Sequence, residues 1–279
     1  MKVDAHQHFW KLSRGDYEWI TPDLPVLNRD YYPEDLVPLL KDTNIDGTIL
    51  VQAADTLSET EYLLSLADEH DWILGVVGWV DMESSDASGT IQRLAEHPKF
   101  CGIRPMIQDI QDDDWMLRPA LEPAFTTLIN LDLTFDALVL PRHLKHLHTL
   151  LQRYPQLPCV IDHAAKPEIR DGNFDEWASD MTILAKNTDV LCKLSGLATE
   201  AGANWTVETL RPYVEHLLTE FEPSRLMFGS DWPVLNLASD YSSWADIADQ
   251  LTFHLPKSDQ VLIFGETAQH FYLTKGQLK

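Results

Sequence analysis

Residues able to bind metals or move protons are spaced widely along this chain. They include His6 and His8 in VDAHQHFW, Asp162 and His163 in VIDHAAKP, and Asp231 in LMFGSDWPV. In extended backbone, residues i and i+2 share a face, so His6 and His8 point one way and Gln7 the other. Two imidazoles so placed can hold a divalent ion or hydrogen-bond a carbonyl, and an aspartate beside them can take a proton from water. A surface strand could carry the same doublet without function. Phe9 and Trp10, which follow directly, argue against a solvated tail.

These residues need elements that bring them together. Short apolar runs rich in Val, Ile and Leu predict strands at Val3–His8, Gly47–Gln52, Leu74–Val80, Cys101–Met106, Leu133–Leu140, Cys159–His163, Val190–Ser195 and Leu226–Asp231. They recur roughly every 25–45 residues, the spacing of β-plus-α units. Helical patterns lie between them. Ser58-Glu59-Thr60-Glu61 reads as a capping box, and Pro33 starts a helix bearing Leu36, Leu39 and Leu40. Pro141 starts another with Leu144, Leu147, Leu150 and Leu151 on one stripe, and Trp205–Phe221 and Trp244–Leu255 are amphipathic. Buried strands each followed by a helix call for a parallel sheet. Eight such units predict an α/β chain folded as a closed (β/α)8 TIM barrel, one domain over residues 1–279. No GxGxxG follows the first strand, which removes the main support for a dinucleotide fold. Residues between Trp10 and Pro33 have little helical period and predict an enlarged first βα loop.

Chemistry in such barrels sits at the C-terminal ends of the strands. In order, these ends offer His6 and His8; Gln52; Trp79 and Asp81; Arg104 with Gln108 beyond; Asp136; Asp162, His163 and Lys166; Lys193 and Ser195; and Ser230, Asp231 and Trp232. Buried ionisable groups are costly unless paired or used. Some have bland explanations: Asp162 and Lys193 as an ion pair on the barrel wall, Asp136 as a loop cap, Gln52 satisfying loop amides. The convergence of His6, His8, His163 and Asp231 on one end is harder to explain away. His143, His146 and His148 fall on a helix and are expected on its solvated surface.

Composition narrows the partners. Net charge is −23, from 44 acidic and 21 basic residues. Such a field repels a phosphate backbone, and no basic run offsets it, so nucleic acid and anionic membranes are not expected partners. No run approaches the ~20 apolar residues of a membrane span, and no signal peptide is evident. Three cysteines without a CxxC pair fit free thiols in a reducing cytoplasm.

Taken in order, DAHQHFW, RGDYEWI, GIRPMIQD, VIDHAAKP, KLSGLATEAG and LMFGSDWPV resemble the amidohydrolase superfamily. Within it they resemble the amidohydrolase-related branch that hydrolyses sugar lactones, over almost the whole chain. The resemblance implies a small-molecule aldonolactone as substrate, opened to the free aldonic acid. It implies Asp231 as the base that prepares water, with His6, His8 and His163 as the other catalytic residues. Arg104, Gln52, Gln108, Lys166, Trp10, Trp79 and Trp232 are the candidate sugar-binding residues, the tryptophans stacking on the ring. The superfamily often carries one or two divalent metals. Here Arg104 stands where a strand-four Lys is usual, and no His closes strand five, so a binuclear centre is not expected. The expectation is either no metal or one divalent ion, zinc if any, on His6, His8 and Asp231. Two alternatives remain: a metal-dependent decarboxylase of the same superfamily, and a catalytically silent barrel that binds a sugar acid.

Overall fold

The computed structural model describes residues 1–274; the last five residues of the expected 1–279 domain lie outside the described residues. Eight parallel strands follow one another in chain order: β1 (Val3–Gln7), β2 (Gly47–Val51), β3 (Ile73–Gly78), β4 (Phe100–Ile103), β5 (Thr134–Ala137), β6 (Cys159–Ile161), β7 (Leu191–Leu194) and β8 (Leu226–Phe228). A parallel bridge between Gln7 and Trp232 brings the last strand back to the first. With helices between the strands, this is the expected (β/α)8 barrel. Each strand stops one to three residues before its expected end. The polar residues there turn out of the ladder, which lets their side chains meet over the barrel mouth.

The helices begin where local chemistry satisfies their first amides. Thr56, not Ser58, caps the helix Leu57–Glu69, its hydroxyl accepting from Glu59 N at 3.1 Å. Glu59 is thereby freed to reach back to Ala53 N at 2.9 Å, in the turn after β2. Asp240 caps Tyr241–Thr252 in the same manner through Ser243 N. Below the site, Val3, Ala5, Ile49, Val51, Val77 and Met227 pack with Ala268 and Tyr272 of the C-terminal helix Thr267–Leu273. That helix plugs the barrel floor. Its Tyr272 hydroxyl reaches Asp136 inside the barrel.

The first βα loop is long, as expected, and closes on itself. Trp10 and Tyr31 exchange backbone hydrogen bonds at 3.1 and 2.9 Å, and their rings pack edge to face. All three cysteines are free and buried. No helix among the described residues is long and apolar enough to cross a membrane.

Candidate active site

Six strand ends supply the site. His6 and His8 leave β1 with their Nε2 atoms 3.2 Å apart. Asp231, just past β8, places Oδ1 3.2 Å from His8 Nε2 and 3.8 Å from Nε2 of both His6 and His163. His163, after β6, directs Nδ1 to Ser195 Oγ at 2.9 Å, beyond β7. Arg104, after β4, brings Nη1 to 3.3 Å from His6 Nε2 and donates through Nη2 to the Gln52 carbonyl. The end of β2 contributes backbone: the Val51 carbonyl lies 2.8 Å from His8 Nδ1.

Unusual backbone delivers two of these side chains. His163 opens a run of four left-handed residues, with φ of 52°, 51°, 61° and 50° through Lys166. Non-glycine residues rarely adopt this region, and they hold it only where surrounding structure insists. Part of that insistence is Gly196 at φ 68°, where an added Cβ would lie 2.7 Å from the His163 Cβ. Asp231 is also left-handed, at φ 59°. Its amide donates to the His6 carbonyl at 2.8 Å, and His8 N donates to the Trp232 carbonyl at 2.7 Å. The ends of β1 and β8 are thus tied to each other directly.

The site is dry, and its charges reflect that. No side chain of His6, His8, His163 or Asp231 is more than 6% exposed. Burial pushes the His163 imidazolium down to about 4 and lowers His8. His6 falls well below its usual value through burial and then the Lys193 charge. Burial alone would raise the Asp231 carboxyl, but the surrounding His163, His8 and His6 outweigh it and hold it well below the carboxylate range. The result is a buried carboxylate encircled by three imidazoles.

Beneath it lies an ionic layer inside the barrel. Lys193, fully buried, reaches Asp136 Oδ2 at 2.6 Å, Asp162 Oδ1 at 2.9 Å and His6 Nδ1 at 3.0 Å. Tyr272 donates to Asp136 Oδ2 at 2.7 Å, and Thr134 donates to its Oδ1 at 3.1 Å. Asp136 is therefore an interior partner of Lys193 rather than a loop cap. The Asp162–Lys193 ion pair exists as the bland explanation had it, and it also touches the site through His6.

The sequence-predicted residues divide cleanly. His6, His8, Arg104, His163 and Asp231 come together, with Gln52 braced against Arg104 by donating from Nε2 to the Arg104 carbonyl at 2.6 Å. Lys166 sits at the rim, 3.9 Å from Glu200. Gln108 turns its amide toward Asp109, and Trp79 is half-buried, its backbone held by Thr60. The tryptophans expected as stacking platforms at Trp10 and Trp232 are corrected by the structure. Both are buried, Trp10 against Tyr17, Trp19 and Tyr31, and Trp232 against Phe9 and Tyr31, so neither offers a free face. They build the first loop instead. His143 is also corrected: it is buried in the turn ahead of its helix, where its Nδ1 accepts from Leu140 N. Among the described residues, donor atoms of His6, His163 and Asp231 all lie within 4.8 Å of one another, and His8 Nε2 stands beside them, 3.2 Å from both His6 Nε2 and Asp231 Oδ1.

Sequence reasoning missed Asp4 and Glu59. Asp4 accepts from Ser230 N at 2.8 Å, His6 N at 3.1 Å and Tyr241 Oη at 2.9 Å, fastening β1 to the residues after β8. The signal for Asp4 was its place two residues before His6 in a buried strand.

Fold and site together define a (β/α)8-barrel hydrolase with a His/Asp centre. The chain belongs to the amidohydrolase family: the model described as Amidohydrolase matches residues 3–273. It is 46% identical over 275 residues to an L-fucono-1,5-lactonase of Burkholderia ambifaria, covering 97% of this chain and 95% of that protein. A second L-fucono-1,5-lactonase, from Burkholderia multivorans, is 34% identical, covering 98% and 96%. The crystal structure of a Burkholderia multivorans amidohydrolase with bound HEPES superposes with a TM-score of 0.93 at 32% identity, covering 98% of this chain and 99% of that one. The same protein with bound zinc gives 0.92 at 33% identity, with the same coverage.

Proposed function

We propose that this chain hydrolyses a sugar 1,5-lactone of the L-fuconolactone class to the open aldonic acid. The observation that carries the reading is the buried Asp231 carboxylate ringed by His6, His8 and His163 at the barrel mouth. The relatives at 46% and 34% identity support the substrate class, and neither is named a decarboxylase.

A lactone is a cyclic ester, and opening it needs a nucleophilic water, a stabilised oxyanion and a proton for the departing ring oxygen. Asp231 takes a proton from the water as it attacks the carbonyl carbon. His163, held by Ser195, orients that water. N–H groups from the His6 side of the site, with Arg104 behind them, stabilise the oxyanion. When the carbon–oxygen bond breaks, protonated Asp231 returns its proton to the ring oxygen. Gln52, Gln108, Lys166 and Trp79 remain the candidates for reading the sugar hydroxyls.

One divalent ion fits His6, His163 and Asp231. A ligating His6 needs an acceptor for its Nδ1–H, and Asp162 Oδ1, which also faces the Lys193 ammonium at 2.9 Å, stands 3.3 Å away. Such an ion would polarise the carbonyl as a Lewis acid.

The test is acid release from a panel of D- and L-aldonolactones, with wild-type protein and Asp231→Asn. Loss of the base is expected to lower kcat by ~10²–10⁴-fold with the fold intact. An Asn variant turning over at near wild-type rate removes Asp231 from this role. Saturable lactone binding without acid release by the wild type would instead make the protein a sugar-acid binder.

A further inference from the structure

None of the charges gathered around Asp231 comes from RGDYEWI, the segment Arg14–Ile20 of the first βα loop. Its side chains fasten that loop to the start of the helix Leu57–Glu69 instead. Asp16 Oδ1 accepts from Thr56 Oγ1 at 3.1 Å and from Ser58 Oγ at 3.4 Å. Arg14 pairs with Asp16 at 2.8 Å, donates to Ser58 Oγ at 3.0 Å and lies over the Tyr62 ring. Tyr17 is buried against Trp10. A loop held at this many points presents the next residues in a fixed place.

Among those residues is Trp19, whose indole Nε1 donates to the Ala53 carbonyl at 2.8 Å. Three successive carbonyls leaving β2 thus serve the barrel mouth: Val51 meets His8 Nδ1, Gln52 accepts from Arg104 Nη2, and Ala53 accepts from Trp19. Two residues of chain span at most ~7 Å. The anchor of the indole therefore stands no farther from that of His8 than a six-membered sugar ring with its substituents can bridge. Trp19 packs edge to face with Trp10 and is still 37% exposed, whereas Phe9, Trp10, Tyr17 and Tyr31 of the same loop are buried. An exposed aromatic by itself needs no explanation. This one has its polar tip tied to a strand end and one side braced by Trp10, so its open surface is set in advance of any ligand. We propose, resting on the lactone hydrolysis above, that Trp19 is the platform on which the C–H face of the sugar ring stacks, with the lactone carbonyl turned toward Asp231. A pyranose ring carries C–H groups on its faces and hydroxyls around its edge. Stacking on Trp19 fixes the plane of the ring and leaves the hydroxyls to polar partners at the rim.

The test is steady-state acid release from L-fucono-1,5-lactone, the compound named for both Burkholderia relatives, by wild type, Trp19→Ala and Trp19→Phe. Stacking is felt equally by the ground and transition states, so Trp19→Ala should raise KM by ~10-fold with kcat within about threefold. Trp19→Phe keeps a ring but has no N–H, and its KM should stay within about threefold of wild type. A Trp19→Ala enzyme with the wild-type KM overturns the proposal. So does a Trp19→Phe enzyme as impaired as Trp19→Ala, because the hydrogen bond to Ala53 would then account for the effect. A second readout needs no turnover. It is fluorine NMR of fluorotryptophan-labelled protein, with the Trp19 signal identified by its loss in Trp19→Phe, titrated with L-fucose, a pyranose with no ester to open. The Trp19 signal should shift saturably, and a signal that L-fucose leaves unmoved overturns the proposal. Wild-type protein that releases acid from no lactone refutes the proposed hydrolysis, and the fluorine titration then decides the stacking by itself.

Discussion

Removing the charge of Glu59 should change how stability depends on pH. Glu59 is fully buried on the helix after β2, and its Oε1 accepts from Ala53 N. Burial raises its carboxyl to about 8, against the opposing pull of the Ala53 and Ala54 amides and the Arg104 charge. Because the folded value exceeds the unfolded one, stability is full below the unfolded value. It is lost as pH climbs toward 8, where the unfolded chain has released a proton the folded chain still holds. A rise from 4.5 to about 8, at 1.36 kcal/mol per pH unit, is a loss of about 5 kcal/mol. Glu59→Gln keeps a carbonyl for Ala53 N and cannot ionise, so its cost is constant with pH. Urea unfolding of both proteins at pH 5 and pH 8.5 isolates the effect, since the self-repulsion of the acidic chain is nearly common to both. The stability of the Gln variant relative to wild type should rise by about 4 kcal/mol between these pH values. A difference that stays flat would mean that the amides and Arg104 fully solvate the carboxylate, and the reasoning from burial would fail.

Gly196→Ala should displace His163, because the new Cβ would lie 2.7 Å from that residue's Cβ at a backbone φ of 68°; kcat/KM should drop by at least about tenfold, and an unchanged value would show that His163 can shift without cost. Tyr241→Phe removes a donor from buried Asp4, whose carboxyl burial raises to about 6; urea unfolding should show a loss of ~1–2 kcal/mol, and no loss would make that hydrogen bond dispensable. Calorimetric titration of zinc into chelated protein should fit no more than one site, and His163→Ala should weaken binding at least about tenfold; two ions, or binding indifferent to His163, would refute the His6–His163–Asp231 set.

The fold was legible because its rule is repetitive. Eight apolar runs, each long enough for one buried strand and each followed by a helical pattern, leave few ways to hide both faces of a sheet. Strand ends were less legible. At β6 and β8 the chain leaves the ladder through left-handed residues, His163 and Asp231, whose composition gives no sign of it. No glycine marks either position. The contacts that enforce the geometry, Gly196 against His163 and the Asp231 amide on the His6 carbonyl, come from elsewhere in the chain.

The site was legible to the depth at which one strand end implies chemistry by itself. His6, His8, His163 and Asp231 could be picked because imidazoles and a carboxylate at a barrel mouth are costly unless used. Trp10 and Trp232 were misplaced by similar reasoning, since a large aromatic beside a site serves equally to build the loop over it. Periodicity could not follow β1 either, because its register shifts between Asp4 and Gln7, and alternation loses its meaning across the shift. The role of Lys193 was hidden for a different reason. Sequence shows a lysine in a buried strand and suggests a partner of opposite sign, and two such partners are there. What sequence cannot show is that the same ammonium also lies 3.0 Å from Nδ1 of the first histidine in VDAHQHFW. That contact ties the ionic layer inside the barrel directly to the site above it.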